Sequence, residues 1–244
     1  AGPRLHVRGR VNAQGVDVAQ AQLHWPGVER MTAQGRWSWA NSLLERGELQ
    51  IEGADLARLG GQLLIPMLMP ADAEQLKLDG VADARLSFGA QGVESVDAKL
   101  EAVVVDFDSG RLRLGPFDGV IPWRLHEPTR LALNIGGGQW ERLQLDPFTL
   151  RVETNGYFAS VAQTIVPVLD GQLVFNNLAL ERKEDGWHGR GELIVEPISM
   201  NLLSEALGWP TMSGILSASL PALVVTPGLL SFDGTFVVSL FEGY

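Results

Sequence analysis

The stretch Leu76-Lys77-Leu78-Asp79-Gly80-Val81-Ala82-Asp83-Ala84-Arg85-Leu86-Ser87-Phe88 decides the fold. Leu76, Leu78, Gly80, Ala82, Ala84, Leu86 and Phe88 share one parity; Lys77, Asp79, Val81, Asp83, Arg85 and Ser87 share the other. Successive side chains of a strand point to opposite faces. The pattern therefore predicts a long strand with one apolar and one wetted face.

The same alternation recurs on both sides of it. Leu5 to Val11, Val16 to Trp25, Met31 to Trp39 and Gly47 to Gly53 read as strands before it. Val96 to Phe107 follows, with Ala98, Leu100, Ala102 and Val104 expected on one face and Val103, Val105 and Phe107 on the other. Arg111 to Leu114 reads as an edge-like strand, followed by Val120 to Leu125, Leu131 to Ile135, Trp140 to Leu145 and Phe148 to Val152. Gln172 to Leu180 and Trp187 to Glu196 form a hairpin around a charged turn. Two stretches change period. Leu56, Leu59 and Leu63 have helical spacing within Ala54 to Leu64, with Asp55 near the helix start and Pro66 and Pro70 beyond it. Met200, Leu203 and Leu207 do the same between Ser199, placed as an N-cap, and Gly208, placed as a terminator. Tyr157 to Leu169 is ambiguous: Val161, Ile165 and Val168 fit a helix, whereas Pro167 and the β-branched residues oppose one.

Composition narrows the function. Nineteen basic against 29 acidic residues leave a net charge of −10, which opposes binding to phosphate backbones. No nucleic-acid partner is expected. There is no cysteine, so disulfides and thiolate chemistry are excluded. The longest apolar cluster, Leu63 to Met69, is too short to span a bilayer and is interrupted by Pro66. No signal peptide is visible at Ala1 to Arg10, and Val237 to Tyr244 still reads as strand where the chain stops; a piece of a longer protein is expected.

Catalytic patterns are missing. His6, His24, His126 and His188 are scattered, without the spacing of a metal site. Asp106 and Asp108 share a strand face beside the Ser109-Gly110 turn and read as solvated turn carboxylates, with cation binding the lesser alternative. Gly136-Gly137-Gly138 lacks the helix and basic residue of a phosphate loop, so it reads as a hinge or bend in the sheet. No enzyme, metal or cofactor is expected. Trp37 and Trp39, two apart on one strand, are expected to pack in a core, with stacking on a sugar ring the lesser alternative.

An internal repeat organises the chain. Gly47-Glu48-Leu49-Gln50-Ile51-Glu52 matches Gly191-Glu192-Leu193-Ile194-Val195-Glu196. Each is followed by a short helix, Leu56 and Leu59 corresponding to Met200 and Leu203. Leu78, Gly80, Ala82, Ala84 and Leu86 match Met212, Gly214, Leu216, Ala218 and Leu220; Val103, Val105 and Phe107 match Phe236, Val238 and Leu240. The unit is a strand, a short helix and an antiparallel pair, used twice. The expected organisation is an N-terminal β segment (1–46) and two β-groove units (47–135 and 136–244), together one continuous domain. The expected fold class is mainly β: an elongated, curled antiparallel sheet with two or three short helices. A β-sandwich is the alternative.

Asp55-Leu56-Ala57-Arg58-Leu59 leading into Leu76, Gly80 and Leu86 resembles the AsmA-like superfamily of bacterial envelope proteins. Leu207-Gly208-Trp209-Pro210-Thr211-Met212-Ser213-Gly214-Ile215-Leu216-Ser217, with Leu230-Ser231-Phe232-Asp233-Gly234, is most similar to its YdbH-like branch, often labelled "dicarboxylate transport". The resemblance covers some two thirds of the chain. It implies a periplasmic segment of an inner-membrane-anchored protein. It further implies a curled sheet whose apolar groove passes phospholipids between membranes. The anchor helix of that family is missing here. The partners implied are phospholipid or another acyl-chain ligand, envelope proteins and adjoining parts of a longer chain. The groove residues expected are Leu78, Gly80, Ala82, Ala84, Leu86 and Phe88 in the first unit, with Leu216, Ala218, Leu220, Phe236 and Val238 in the second. Small residues on this face leave room that a sandwich core would fill. The alternatives are a carbohydrate-binding or adhesion sandwich and a structural envelope module.

Overall fold

A computed structural model describes residues 4–59, 75–227 and 229–240, the last strand partly by its backbone alone. Sixteen strands belong to one antiparallel sheet. They are β1 (Arg4–Val11), β2 (Gly15–His24), β3 (Val28–Ser38), β4 (Leu43–Asp55), β5 (Leu76–Gly89), β6 (Gly92–Phe107), β7 (Leu112–Arg124) and β8 (Pro128–Ile135). After these come β9 (Gly138–Trp140), β10 (Leu143–Leu145), β11 (Phe148–Asn155), β12 (Phe158–Val168), β13 (Gly171–Lys183), β14 (Gly186–Ser199), β15 (Gly214–Thr226) and β16 (Leu229–Leu240). Each strand pairs with its predecessor in sequence except around the short β9–β10 hairpin. Helix α1 (Leu56–Leu59) follows β4 and helix α2 (Met200–Leu207) follows β14, so both copies of the strand–helix–strand pair unit are present. Pairing crosses the expected unit boundaries without a break: Gly47 lies within β4, and Ile135 of β8 faces Phe148 of β11.

Several expectations are corrected. Arg111 to Leu114 is not an edge. Arg111 lies in the preceding turn, and Leu112 to Leu114 open β7, where Leu112 and Leu114 pair with β6 on one side and β9 on the other. Most of the ambiguous segment is a strand: β12 (Phe158–Val168) pairs with β13 in unbroken register from Phe158–Glu181 to Val168–Gly171, and Tyr157 and Leu169 lie in turns. Pairing on that neighbour outweighs the local helical spacing. In the first helix, Ala54 and Asp55 belong to β4, and only Leu56 to Leu59 are helical among the described residues. Gly60 to Leu64 lie outside the described residues. Asp55 does cap this turn, its Oδ1 accepting the Arg58 amide at 3.3 Å. Ser199 occupies the N-cap position of α2, but its hydroxyl makes no capping bond; its own amide donates to Asp170 Oδ1 at 2.9 Å. Gly208 ends α2 in the left-handed conformation, as expected (φ 71°).

The alternation along β6 is broken by a bulge. Leu100 pairs with Ala82, and Val105 pairs with Leu78. Ala82 and Leu78 share a face of β5, so Leu100 and Val105 share a face as well. Ala102 is the extra residue, at φ 49°. It shifts the parity so that Ala98, Leu100, Val103, Val105 and Phe107 point one way. Ala102 and Val104 therefore do not join Ala98 and Leu100 on that face. The amide freed by the bulge donates to Asp118 Oδ1 on β7 at 3.0 Å. Asp83 plays the same part for Gly53, whose φ is 61° (2.7 Å). Gly136-Gly137-Gly138 spans the break between β8 and β9, and a Cβ on Gly137 would lie 2.5 Å from the Leu145 carbonyl oxygen. It is a bend where backbones cross closely, as expected. Bulges bend strands and increase their twist, and here they recur from β1 to β16. The sheet curls accordingly.

Its surface matches an open curl. The chain exposes 15312 Å², against about 10,700 Å² for a compact monomer of its mass. No second sheet stands against the first among the described residues. The main buried cluster sits where α2 folds against the strand ends: Leu145, Val166, Val168, Ile198, Met200 and Leu203.

Candidate functional site: an uncharged inner face

In an antiparallel sheet, directly paired residues share a face, so the register traces each face from strand to strand. Leu86 pairs with Leu49 on one side and Val96 on the other, and Val96 pairs with Trp123. Farther along β7, Phe117 pairs with Ile135, and Ile135 with Phe148. Thr154 of β11 pairs with Ala159, and Ala159 with Leu180. Leu180 pairs with Gly189, and on the same face of β14 Leu193 pairs with Leu220. The two copies of the groove residues thus lie on one face of one sheet. Leu78, Gly80, Ala82, Ala84, Leu86 and Phe88 are half-buried there; Leu216 is half-buried, and Ala218 and Leu220 are buried. Phe236 and Val238 fall on that face by register, opposite Ala218 and Leu216.

The composition of this face is its defining property. From Leu5 and Val7 on β1 to Leu223 and Val225 on β15, its mid-strand positions are apolar residues, glycine or threonine. The charged residues at the mid-strand positions of the same strands point the other way. There Arg30 meets Glu52 (2.9 Å), Arg85 meets Glu48 (3.2 Å), Arg124 meets Asp97 (2.9 Å) and Arg130 meets Glu153 (2.6 Å). The three inner threonines lie at Thr129, Thr154 and Thr164. The first two bond each other at 2.7 Å. Thr164, paired with Phe175, is buried and its hydroxyl has no partner. Replacing a buried, unpaired hydroxyl with an isosteric methyl removes a desolvation penalty. Thr164→Val should therefore raise stability by about 1 kcal/mol, read as a higher denaturant midpoint at unchanged slope.

The seven tryptophans mark the two rims of this face. Trp37, Trp39, Trp123 and Trp187 lie at the strand ends that carry the turns after β1, β3, β5, β7, β11 and β13. Trp25, Trp140 and Trp209 lie at the opposite ends, on the side of the two helices. None is mid-strand. The expectation that Trp37 and Trp39 fill a core is corrected: they are 39% and 49% exposed. Trp37 pairs with Val16 on the inner face, whereas Trp39 lies past the end of β3 and donates its indole N–H to the Asn12 carbonyl (3.2 Å). Tyr157 joins the first rim, 5.9 Å from Trp123 between ring centroids and with the Arg182 guanidinium 5.8 Å from its ring. Sequence periodicity gives only the parity of individual tryptophans. Their grouping follows from the meander, which brings alternate turns to the same rim.

The polar candidates do not converge. His6 and His24 stack edge to face at 6.4 Å, and His188 contacts Asp185. Asp108 lies in the turn and pairs with Arg111 at 2.9 Å, whereas Asp106 is on β6 across from Arg113. No group of three or more metal-ligating side chains occurs among the described residues. No helix among them is long and apolar enough to cross a membrane.

One rim group has a defined response to acid. The Asp185 carboxyl is held below its ordinary range, chiefly by its hydrogen bond with His188 Nε2 at 2.8 Å. A carboxyl with a depressed folded-state pKa contributes stability above its unfolded value, and loses it as pH falls through the folded value. The β13–β14 turn should therefore loosen only at strongly acidic pH. Carboxyl NMR titration should place Asp185 below a free aspartate, and His188→Ala should return it toward that value.

No family model, curated protein or solved structure matches this chain.

Proposed function

We propose that the inner face is a trough for acyl chains, and that the protein is a lipid-binding segment through which phospholipids pass. The observation that carries this reading is the uncharged face, continuous across the sheet and bordered by tryptophan. A soluble sheet with one such face must cover it. A second layer is absent among the described residues, so a bound apolar ligand is a cover of the right chemistry. Each methylene moved from water onto such a surface contributes about 0.8 kcal/mol. A uniform face offers no preferred stopping point, so a chain can slide along it without a large barrier. Tryptophan and tyrosine suit the boundary between apolar matter and water. The rims are therefore where head groups would stay wet. The small residues Gly80, Ala82 and Ala84 keep the floor low beside Leu78 and Leu86. The likeness of 55–59 and 207–217 to AsmA-like, YdbH-like proteins supports the same reading, with transfer passive and the setting the periplasm.

The test is extraction. Protein purified without detergent is extracted into organic solvent and analysed by mass spectrometry, and the stripped protein is titrated with a fluorescent fatty acid. Co-purified phospholipid and saturable uptake are expected. Protein free of lipid that also leaves the probe in water would overturn the reading.

A further inference from the structure

One basic residue breaks the pattern of the inner face. Arg182 on β13 pairs with Trp187, two residues beyond the inner-face pair Leu180–Gly189. It therefore has the inner parity and stands at the rim that carries the β13–β14 turn. Every other lysine or arginine within a described strand has the outer parity, Lys183 and Arg190 beside it included.

The surroundings of Arg182 are aromatic. Its guanidinium lies 5.8 Å from the Tyr157 ring, Trp123 is 5.9 Å from that ring, and Trp187 is its direct cross-strand partner. Backbone bonds hold the row together: the Arg182 amide donates to the Tyr157 carbonyl at 3.0 Å, and the Trp123 indole N–H to the Gly156 carbonyl at 2.7 Å. Tyr157 and Arg182 are both exposed. The acids nearby are Glu181, Glu184 and Asp185. Glu181 pairs with Phe158 and His188 on the outer face, Asp185 bonds His188, and Glu184 lies in the turn. No ion pair reaches Arg182 among the described residues.

We infer that Arg182, framed by Tyr157 and Trp187, is the seat for the phosphate of a phospholipid whose acyl chains lie on the inner face; the inference rests on the trough reading. A guanidinium meets phosphate with two parallel N–H···O bonds. An aromatic neighbour steadies the cation, and tyrosine and tryptophan suit the level between acyl chains and water. Leu180 and Leu178 lie over the bare backbone of Gly189 and Gly191, and continue the apolar surface from the seat toward Leu193 and Leu220. The net charge of −10 repels free anions from the molecule at large. Phosphate without acyl chains is therefore a poor occupant. The seat gives an otherwise uniform face one point of registration, where a head group pauses at the rim.

The full chain, stripped of lipid, is titrated by calorimetry with dihexanoylphosphatidylglycerol, dihexanoylglycerol and glycerol 3-phosphate. The phospholipid should bind about tenfold more tightly than the diacylglycerol, as hydrogen bonds to a charged group warrant. Glycerol 3-phosphate should show no saturable binding. Arg182→Gln should abolish the phospholipid's advantage and leave the diacylglycerol affinity unchanged. Arg190→Gln, on the outer face of the neighbouring strand, should leave both affinities as they are. Equal affinity for the two lipids, an advantage that survives Arg182→Gln, or saturable binding of glycerol 3-phosphate would each overturn the inference. Diacylglycerol that binds without any phosphate advantage removes the seat and keeps the trough; failure of both lipids removes the two together.

Discussion

Aspartate at both Ala84 and Leu86 is expected to abolish acyl-chain uptake while leaving the protein folded. The two positions lie on the inner face, in neighbouring rows that run Met31–Ile51–Ala84–Ala98–Ile121 and Ala33–Leu49–Leu86–Val96–Trp123. They are half-buried, so their carboxylates keep contact with water in the empty trough. A bound chain would remove that water, and desolvating an unpaired carboxylate costs several kcal/mol. Uptake should fall by a factor of ten or more, because each 1.4 kcal/mol is tenfold. The control lies on the same strand. Val81 is 42% exposed on the outer face, and Val81→Asp should leave uptake unchanged. Fluorescent fatty-acid titration measures all three proteins, with circular dichroism as the check on folding. Equal loss in Val81→Asp would mean that uptake does not occur on the inner face.

The largest loss of stability is expected from Leu203→Ala. Leu203 is 7% exposed on α2, within the cluster of Leu145, Val168, Ile198 and Met200. Truncating a buried leucine loses its transfer free energy and leaves a cavity, at a cost of about 2–5 kcal/mol. That is a large fraction of the stability of an ordinary domain. The neighbouring residue supplies the contrast: Leu202 is 40% exposed on the other side of the same helix. Leu202→Ala should stay within about 0.5 kcal/mol of the parent. Denaturant unfolding measures both. Amide exchange should locate the Leu203→Ala effect in α2 and the adjoining ends of β14 and β15, since α2 is the element that covers the strand ends there.

The two sets of variants separate the roles of one apolar face. Near α2 its residues are covered by protein and hold the fold together. Along β4 to β7 they are half-exposed, and covering them is the work assigned to a ligand. Leucines at Leu86 and Leu203 therefore differ in consequence although both are apolar residues in repeated units. Periodicity identifies each as inward-facing but carries no information on what lies opposite.

The sequence by itself determined which residues face inward on most strands, the duplicated strand–helix–strand pair, the bend at Gly136–Gly138 and the Gly208 helix end. These follow from local geometry: a strand alternates with period two whatever its neighbours do, and a left-handed terminus favours glycine. Only the tertiary structure decided the rest. The bulge at Ala102 depends on a partner strand, whose Asp118 receives the freed amide, and it reverses the parity of half of β6. Residues 158–168 became a strand because β13 supplies a ladder that the segment's own periodicity does not announce. The rims of tryptophan exist because the meander returns alternate turns to the same side. Above all, the apolar parity of Leu76 to Phe88 suits a sandwich core as well as a trough. The sheet pairs all its described strands into one layer, and so leaves that face without a second sheet to cover it.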